Sequence, residues 1–138
     1  MNVFIHIEGQ TPCAGLVMLS KSARVLLIKR CPDPEDPYAG QWDIPGGHAS
    51  SFDGSILETA LRETCEEVGV AKWSLWPQIP VIQALDINPV YSTFILRSVA
   101  EFKPKLSDEH TEYRWQPLTD LGLPMHPNLR RLLQSLCN

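Results

Sequence analysis

Apolar and polar positions alternate over residues 3 to 8, where Val3, Ile5 and Ile7 oppose Phe4, His6 and Glu8. A period of two predicts a strand there. Gly9 to Pro12 break it, and a second apolar run covers residues 13 to 19. Lys21-Ser22-Ala23 reads as a turn, and Arg24 to Lys29, with Val25, Leu26, Leu27 and Ile28, reads as a buried strand. Two such runs around a short polar break predict a hairpin. Cys31 to Gly40 holds three prolines and three acids, too many breakers for regular structure. Such a loop can cover or shape a neighbouring site, or simply connect.

The period changes at Ser55. Ile56, Ala60, Leu61, Thr64 and Val68 form one stripe of a helix over Ser55 to Val68. Ser55 is a suitable N-cap, Glu58 three residues later completes a capping box, and Gly69 suits the position just past the last turn. Pro77 and Pro80 interrupt strand structure between Trp73 and Leu85, and Val90 to Phe102 is the longest β-like run. Glu112 to Trp115 predicts a short strand, and a turn follows over Leu118 to Leu123. Asn128 to Cys137 predicts a helix, with Leu129, Leu132, Leu133 and Leu136 at the spacing of a core-facing stripe. Strands packed between two helices suggest an α/β fold, a three-layer α/β/α sandwich with a mixed sheet.

Composition narrows the class. A chain of 138 residues fits a single domain over 1–138, large enough to bury about two-thirds of its unfolded surface. The net charge of −4 makes it a poor candidate for binding long nucleic acid through phosphates alone. Sites that act on phosphates in such a field borrow positive charge from metal. Cys13, Cys31, Cys65 and Cys137 form no Cys-x-x-Cys pair, which argues against zinc. The N-terminus lacks the basic start and apolar run of a signal peptide, and no stretch of 18 apolar residues occurs. The expectation is a cytoplasmic protein with reduced thiols and no membrane span.

The chemistry concentrates in Arg62-Glu63-Thr64-Cys65-Glu66-Glu67-Val68-Gly69. On a helix Glu63, Glu66 and Glu67 share a face, because residues three and four apart are neighbours. Like charges held together ask for a counter-charge, and a hard divalent cation would supply it through oxygen ligands. Cys65 points to the other side. Upstream, Trp42-Asp43-Ile44-Pro45-Gly46-Gly47-His48 carries a Pro-Gly-Gly turn whose glycines let backbone approach a ligand closely.

Gly47 followed by Arg62-Glu63-x-x-Glu66-Glu67-x-Gly69 resembles the Nudix box of Nudix hydrolases (MutT-like): Gly, five residues, Glu, seven residues, Arg-Glu-apolar-x-Glu-Glu-x-Gly-apolar. All five fixed letters of the second half match. By residue frequencies such a match has a chance on the order of one in a million per starting position. The first half departs. Asp53 stands six residues after Gly47, where the family has Glu, and eight residues rather than seven separate it from Arg62. Counted backward from Arg62, Gly54 takes the Glu place instead. Either Asp replaces Glu, or the acid is absent.

The resemblance runs from about Cys13 to the C-terminus and implies the Nudix sandwich. It implies that Glu63, Glu66 and Glu67 bind Mg²⁺ or Mn²⁺, that the Gly46 carbonyl completes the metal shell, and that Arg62 orients the glutamates. Gly47 and Gly69 shape the backbone, Gly47 where the cofactor is held. In Ser107 to Trp115, Glu109 matches a loop glutamate that supplies a further metal ligand or the base that activates water; Glu63 is the other candidate base. Glu112 and His110 are weaker alternatives, since a single loop histidine is usually solvated. Arg30, at the end of a strand, faces the nucleotide or its phosphates, or is a plain sheet-end charge. Trp42 could stack on a base, although a tryptophan beside such a turn is more often core; Trp73, Trp76 and Trp115 are left to packing, and His48 to a structural role. The implied activity is metal-dependent hydrolysis of a diphosphate bond in a nucleoside diphosphate derivative. A (d)NTP cleaved to NMP and pyrophosphate leads. Nucleotide sugars, ADP-ribose and dinucleoside polyphosphates are alternatives, and so is a nucleotide-binding sensor without catalysis. Nudix proteins are often dimers, so a homodimer is allowed.

Overall fold

The structure, a computed structural model, describes residues 11–71, 83–88 and 90–137. The strand expected over residues 3 to 8, Trp73, Trp76 and the two prolines after them lie outside the described residues. The elements are β1 (Cys13–Ser20), β2 (Arg24–Arg30), β3 (Trp42–Asp43), β4 (Gly46–His48), α1 (Ile56–Val68), β5 (Gln83–Asn88), β6 (Tyr91–Val99), β7 (His110–Pro117) and α2 (Pro127–Ser135).

The strands run β3-β2-β1-β6-β5, with β4 on β1 and β7 on β2. Only β1 and β6 pair in parallel among the named strands, so the sheet is mixed, as expected. Side chains alternate between its two faces. Val17, Leu19, Val25, Leu27 and Ile95 pack with Leu129, Leu132 and Leu133 of α2. Leu16, Met18, Leu26, Ile28, Phe94 and Leu96 pack with Ala60, Leu61 and Val68 of α1. Burial on both faces explains why β1 and β2 read as unbroken apolar runs rather than alternating ones. The α/β/α sandwich is therefore present.

Several boundaries differ from the sequence reading. β6 stops at Val99, short of Phe102, and β7 begins at His110 and ends at Pro117, twice the expected length. α2 starts at Pro127, with the His126 Nδ1 accepting from the Asn128 N–H. Local periodicity marks neither β3 nor β4. The expected hairpin joins β1 and β2 only near its turn, at Leu19 and Val25. Beyond that point the strands diverge. Residues 42 to 48 cross the gap, with β3 paired to the far end of β2 and β4 to the start of β1. This crossing puts the Pro-Gly-Gly turn inside the sheet. Among the described residues no helix is long and apolar enough to cross a membrane, and none of the four cysteines is in a disulfide.

Candidate active site

α1 begins as its sequence predicts: the Ser55 Oγ accepts from the Glu58 N–H at 3.1 Å. The Glu58 carboxylate accepts from the Gly54 N–H at 2.7 Å. Gly69 ends the helix in the left-handed region, φ 76°, and its N–H donates to Cys65 O. There a side chain would be strained.

Asp53, in the altered half of the box, lies against Arg62. It is buried, and it receives Arg62 as a two-pronged fork, Nε to Oδ1 at 2.9 Å and Nη2 to Oδ2 at 3.0 Å. The Ser50 N–H and the Thr59 hydroxyl also donate to it at 2.9 Å. Charge-assisted forks of this kind are among the stronger hydrogen bonds. Arg62 chiefly, with Ser50 and Thr59, holds the Asp53 carboxyl down at about 2 against the cost of burial. An acid is therefore present beside Arg62 in the altered half of the box.

Arg62 then distributes its remaining donors. Nη1 reaches Glu63 Oε1 at 3.0 Å and Glu66 Oε1 at 3.2 Å, and Nη2 donates to His48 O at 2.9 Å. The three helical glutamates consequently differ. Glu66 is exposed and held by Arg62. Glu63 is mostly covered, and burial raises its carboxyl above the ordinary range. A side chain at Gly47 would stand 2.6 Å from the Glu63 carboxylate carbon, so the glycine makes room for that acid. Glu67 is buried, and its Oε1 accepts from the Gly46 N–H at 2.7 Å. Burial first, then the nearby Glu63 and Glu109 charges, push its carboxyl up to about 8 despite that bond.

The loop before β7 closes on this face. Lys105 N–H donates to Val68 O at 2.9 Å and Ser107 N–H to Glu67 O at 3.1 Å. On its other side Cys31 N–H donates to Glu109 O at 2.9 Å. Glu109 is thereby stitched between the end of α1 and the end of β2. Glu67, Glu109 and His110 each offer a ligand atom, all within 4.8 Å of one another.

His110 is the residue that sequence reasoning underrated, as a weaker alternative to Glu109. It is not solvated: it is buried, with Nδ1 3.7 Å from Glu67 Oε2 and without a hydrogen-bond partner. Burial, then the Arg30 charge, push its imidazole down to about 4, so it is neutral at pH 7. Only its place next to Glu109 hinted at this.

Arg30 stands between this face and a cavity of about 250 Å³. Its Nε donates to Asp36 at 2.8 Å and its Nη1 lies 3.7 Å from Asp43. The cavity is walled by Arg30, Tyr38, Asp43, Tyr91 and His126, the last just before α2. Tyr38 and Asp36 belong to the proline-rich loop, so that loop helps to wall the cavity. Trp42 is core, as expected, with the Arg114 guanidinium 5.1 Å from its ring centre. Trp115 packs on the α1 side and donates to Phe102 O. The His48 side chain is exposed.

A family model described as the NUDIX domain matches residues 9–136. The chain belongs to the Nudix family. Among its Nudix relatives, a "probable nudix hydrolase" of Schizosaccharomyces pombe is 32% identical over 119 residues, covering 84% of this chain and 41% of that protein. The uncharacterized Nudix hydrolase NudL of Pectobacterium atrosepticum is 29% identical over 121 residues, covering 84% and 61%. The chain thus spans between a third and about three-fifths of the curated relatives it matches along most of its length. Solved Nudix structures share the fold. A MutT protein of Methanosarcina mazei superposes with TM-score 0.68 at 23% identity, covering 94% of this chain and 95% of that one. The ADP-ribose complex of the NUDIX domain of Shewanella oneidensis NrtR gives 0.68 at 21%, covering 94% and 88%. A Caenorhabditis elegans Ap4A hydrolase gives 0.67 at 24%, covering 90% and 94%.

Proposed function

We propose that this Nudix domain hydrolyses a diphosphate bond in a nucleoside diphosphate derivative, with a divalent cation held on the Glu63, Glu67 and Glu109 face. The observation that carries the reading is the convergence of Glu67, Glu109 and His110 within 4.8 Å, beside Glu63. The donor set suits a divalent ion. Carboxylate oxygens are hard ligands. Glu67 is a buried acid pushed up to about 8 by burial and like charge, the environment that a cation relieves.

A bound Mg²⁺ or Mn²⁺ supplies charge neutralisation at the phosphates and a water of lowered pKa. The chain's own groups position the rest. Asp53 anchors Arg62, and Arg62 fixes Glu63 and Glu66. The Gly46 N–H fixes Glu67, and the Gly46 carbonyl is a candidate further ligand. Glu63 and Glu109 are the candidate bases for the attacking water. Arg30 places a positive charge between the phosphates' face and the cavity, where the nucleoside or the leaving moiety would sit.

A (d)NTP cleaved to NMP and pyrophosphate remains the leading substrate. ADP-ribose, a dinucleoside polyphosphate and a nucleotide sugar are the alternatives, the first two being molecules named with solved neighbours. The sensor reading drew on the altered box, and Asp53's grip on Arg62 supports the hydrolase reading beside it. Phosphate and pyrophosphate release from a panel of these compounds, with Mg²⁺, with Mn²⁺ and with chelator, tests the proposal. Chelator-sensitive cleavage of one class is expected. The Glu63→Gln variant is expected to bind that substrate and lose at least about a hundredfold in turnover. Wild-type turnover in that variant would sink the assignment.

A further inference from the structure

We infer that His110 is a nitrogen ligand of the same divalent ion, so that the site favours first-row transition ions over Mg²⁺ more than an all-oxygen site would. The inference rests on the metal reading above and deepens it. Three observations carry it. The His110 side chain is 3% exposed, and its Nδ1 is buried without a hydrogen-bond partner. Buried polar atoms are nearly always paired, so an orphan calls for a partner that protein atoms do not provide. That atom faces the Glu67 carboxylate, and Glu67, Glu109 and His110 each offer one ligand atom within 4.8 Å of the others.

The third observation is a distance. Nδ1 stands 3.7 Å from Glu67 Oε2. That exceeds a hydrogen bond, which for N–H···O ends near ~3.2 Å. It suits two ligands of one ion, since bonds of about 2.1 Å place neighbouring ligand atoms roughly 3.0 to 4.2 Å apart. Glu67 is not free to close the gap, because its other oxygen is held by the Gly46 N–H at 2.7 Å. His110 is held in turn by β7, where it pairs with Arg30, and by its N–H to Ser107 O at 3.2 Å. Imidazole favours transition ions, whereas Mg²⁺ prefers oxygen and keeps its waters.

The test uses the whole chain. Pulsed EPR of the Mn²⁺-loaded protein is expected to show a ¹⁴N coupling, replaced by a ¹⁵N coupling when the histidines are ¹⁵N-labelled, which needs no variant. The coupling should vanish in His110→Gln. Calorimetric titration with Co²⁺ and with Mg²⁺ should show the Co²⁺ Kd rising at least about tenfold in that variant. The Mg²⁺ Kd should stay near its wild-type value. Mn²⁺ bound without nitrogen coupling, or with a coupling that survives His110→Gln, overturns the inference and leaves the hydrolase reading intact. Equal loss of Co²⁺ and Mg²⁺ affinity overturns it too, by making His110 a positioning residue for Glu67. Wild-type protein that binds none of these ions overturns both.

Discussion

Asp53 and Arg62 act as one unit, and Glu63 depends on them. The Asp53→Asn variant keeps the shape and removes the charge that holds the fork. The sign follows from the direction of the shift. A carboxyl held at about 2, below its ordinary value near 4, contributes stability above that ordinary value and loses it as pH falls toward 2. Urea unfolding at pH 7 should show Asp53→Asn less stable by about 1–2 kcal/mol, allowing for solvent around Arg62. The gap between variant and wild type should narrow from pH 4 downward. Glu67 carries the opposite sign. Its carboxyl, raised to about 8, is neutral in the folded metal-free protein below that value; its contribution is full below the ordinary value of 4.5 and is lost progressively as pH rises toward 8. Glu67→Gln keeps an acceptor for the Gly46 N–H and needs no ionisation. Metal-free Tm at pH 8.5 should therefore rise by several degrees while turnover is lost; an unchanged Tm would mean that Glu67 ionises freely. The sequence made Arg62, Glu63, Glu66 and Glu67 legible, because spacing on a helix sets which residues share a face. It did not show that Glu66 turns outward to Arg62 while Glu67 turns inward to Gly46. That difference comes from β4, a segment that local periodicity does not mark. His110 was illegible for a related reason: the pairing of β2 with β7 shifts between Lys29 and Arg30, so alternation along β7 does not predict its burial.

α1 was readable from end to end because its signals are local. Ser55 caps it, the stripe from Ala60 to Val68 buries it, and Gly69 stops it. The strands were less readable at their ends, where partners rather than propensity decide. β7 is extended by the register it keeps with β2, and β3 and β4 exist only because β1 and β2 diverge. Gly69 links helix to site. A side chain there would stand 2.7 Å from the Lys105 Cβ, in a left-handed conformation that already disfavours it. Lys105 begins the stretch whose N–H groups bind the Val68 and Glu67 carbonyls and that leads on to Glu109. Gly69→Ala should cost about 1–2 kcal/mol from the backbone alone. Because the clash also pushes the Glu109 loop away from Glu67, divalent-ion affinity should fall along with stability. Denaturant unfolding and a Mn²⁺ titration on the same sample check the two effects. Lost stability with wild-type ion affinity would confine Gly69 to ending the helix.

At the scale of the whole molecule, the sandwich was legible from composition and periodicity together with the box resemblance, and the cavity was not. Its walls come from the proline-rich loop, the crossing between β2 and β1, β6 and the start of α2, which meet only after the chain folds. The proposed metal face has the same character, since Glu67, Glu109 and His110 come from α1 and from the loop and strand that follow it some 40 residues later. Folding brings acids together that repel one another in the absence of a cation, so ion binding and stability must be linked. An ion that binds only the folded state adds about 2.7 kcal/mol at a hundredfold excess over its Kd. In a chain of this size that corresponds to a Tm increase of several degrees, reversed by chelator. The linkage has a pH dependence. On the proposed site the ion would have to displace a proton from Glu67 below pH 8, so its affinity should fall by up to about tenfold for each unit of pH below that value. The Tm increase given by a fixed Mg²⁺ concentration should therefore be large at pH 8.5 and small at pH 6. In Glu67→Gln, with no proton to displace there, both the increase and its slope with pH should shrink together. A wild-type Tm increase that is the same at both pH values would place the ion elsewhere than on Glu67.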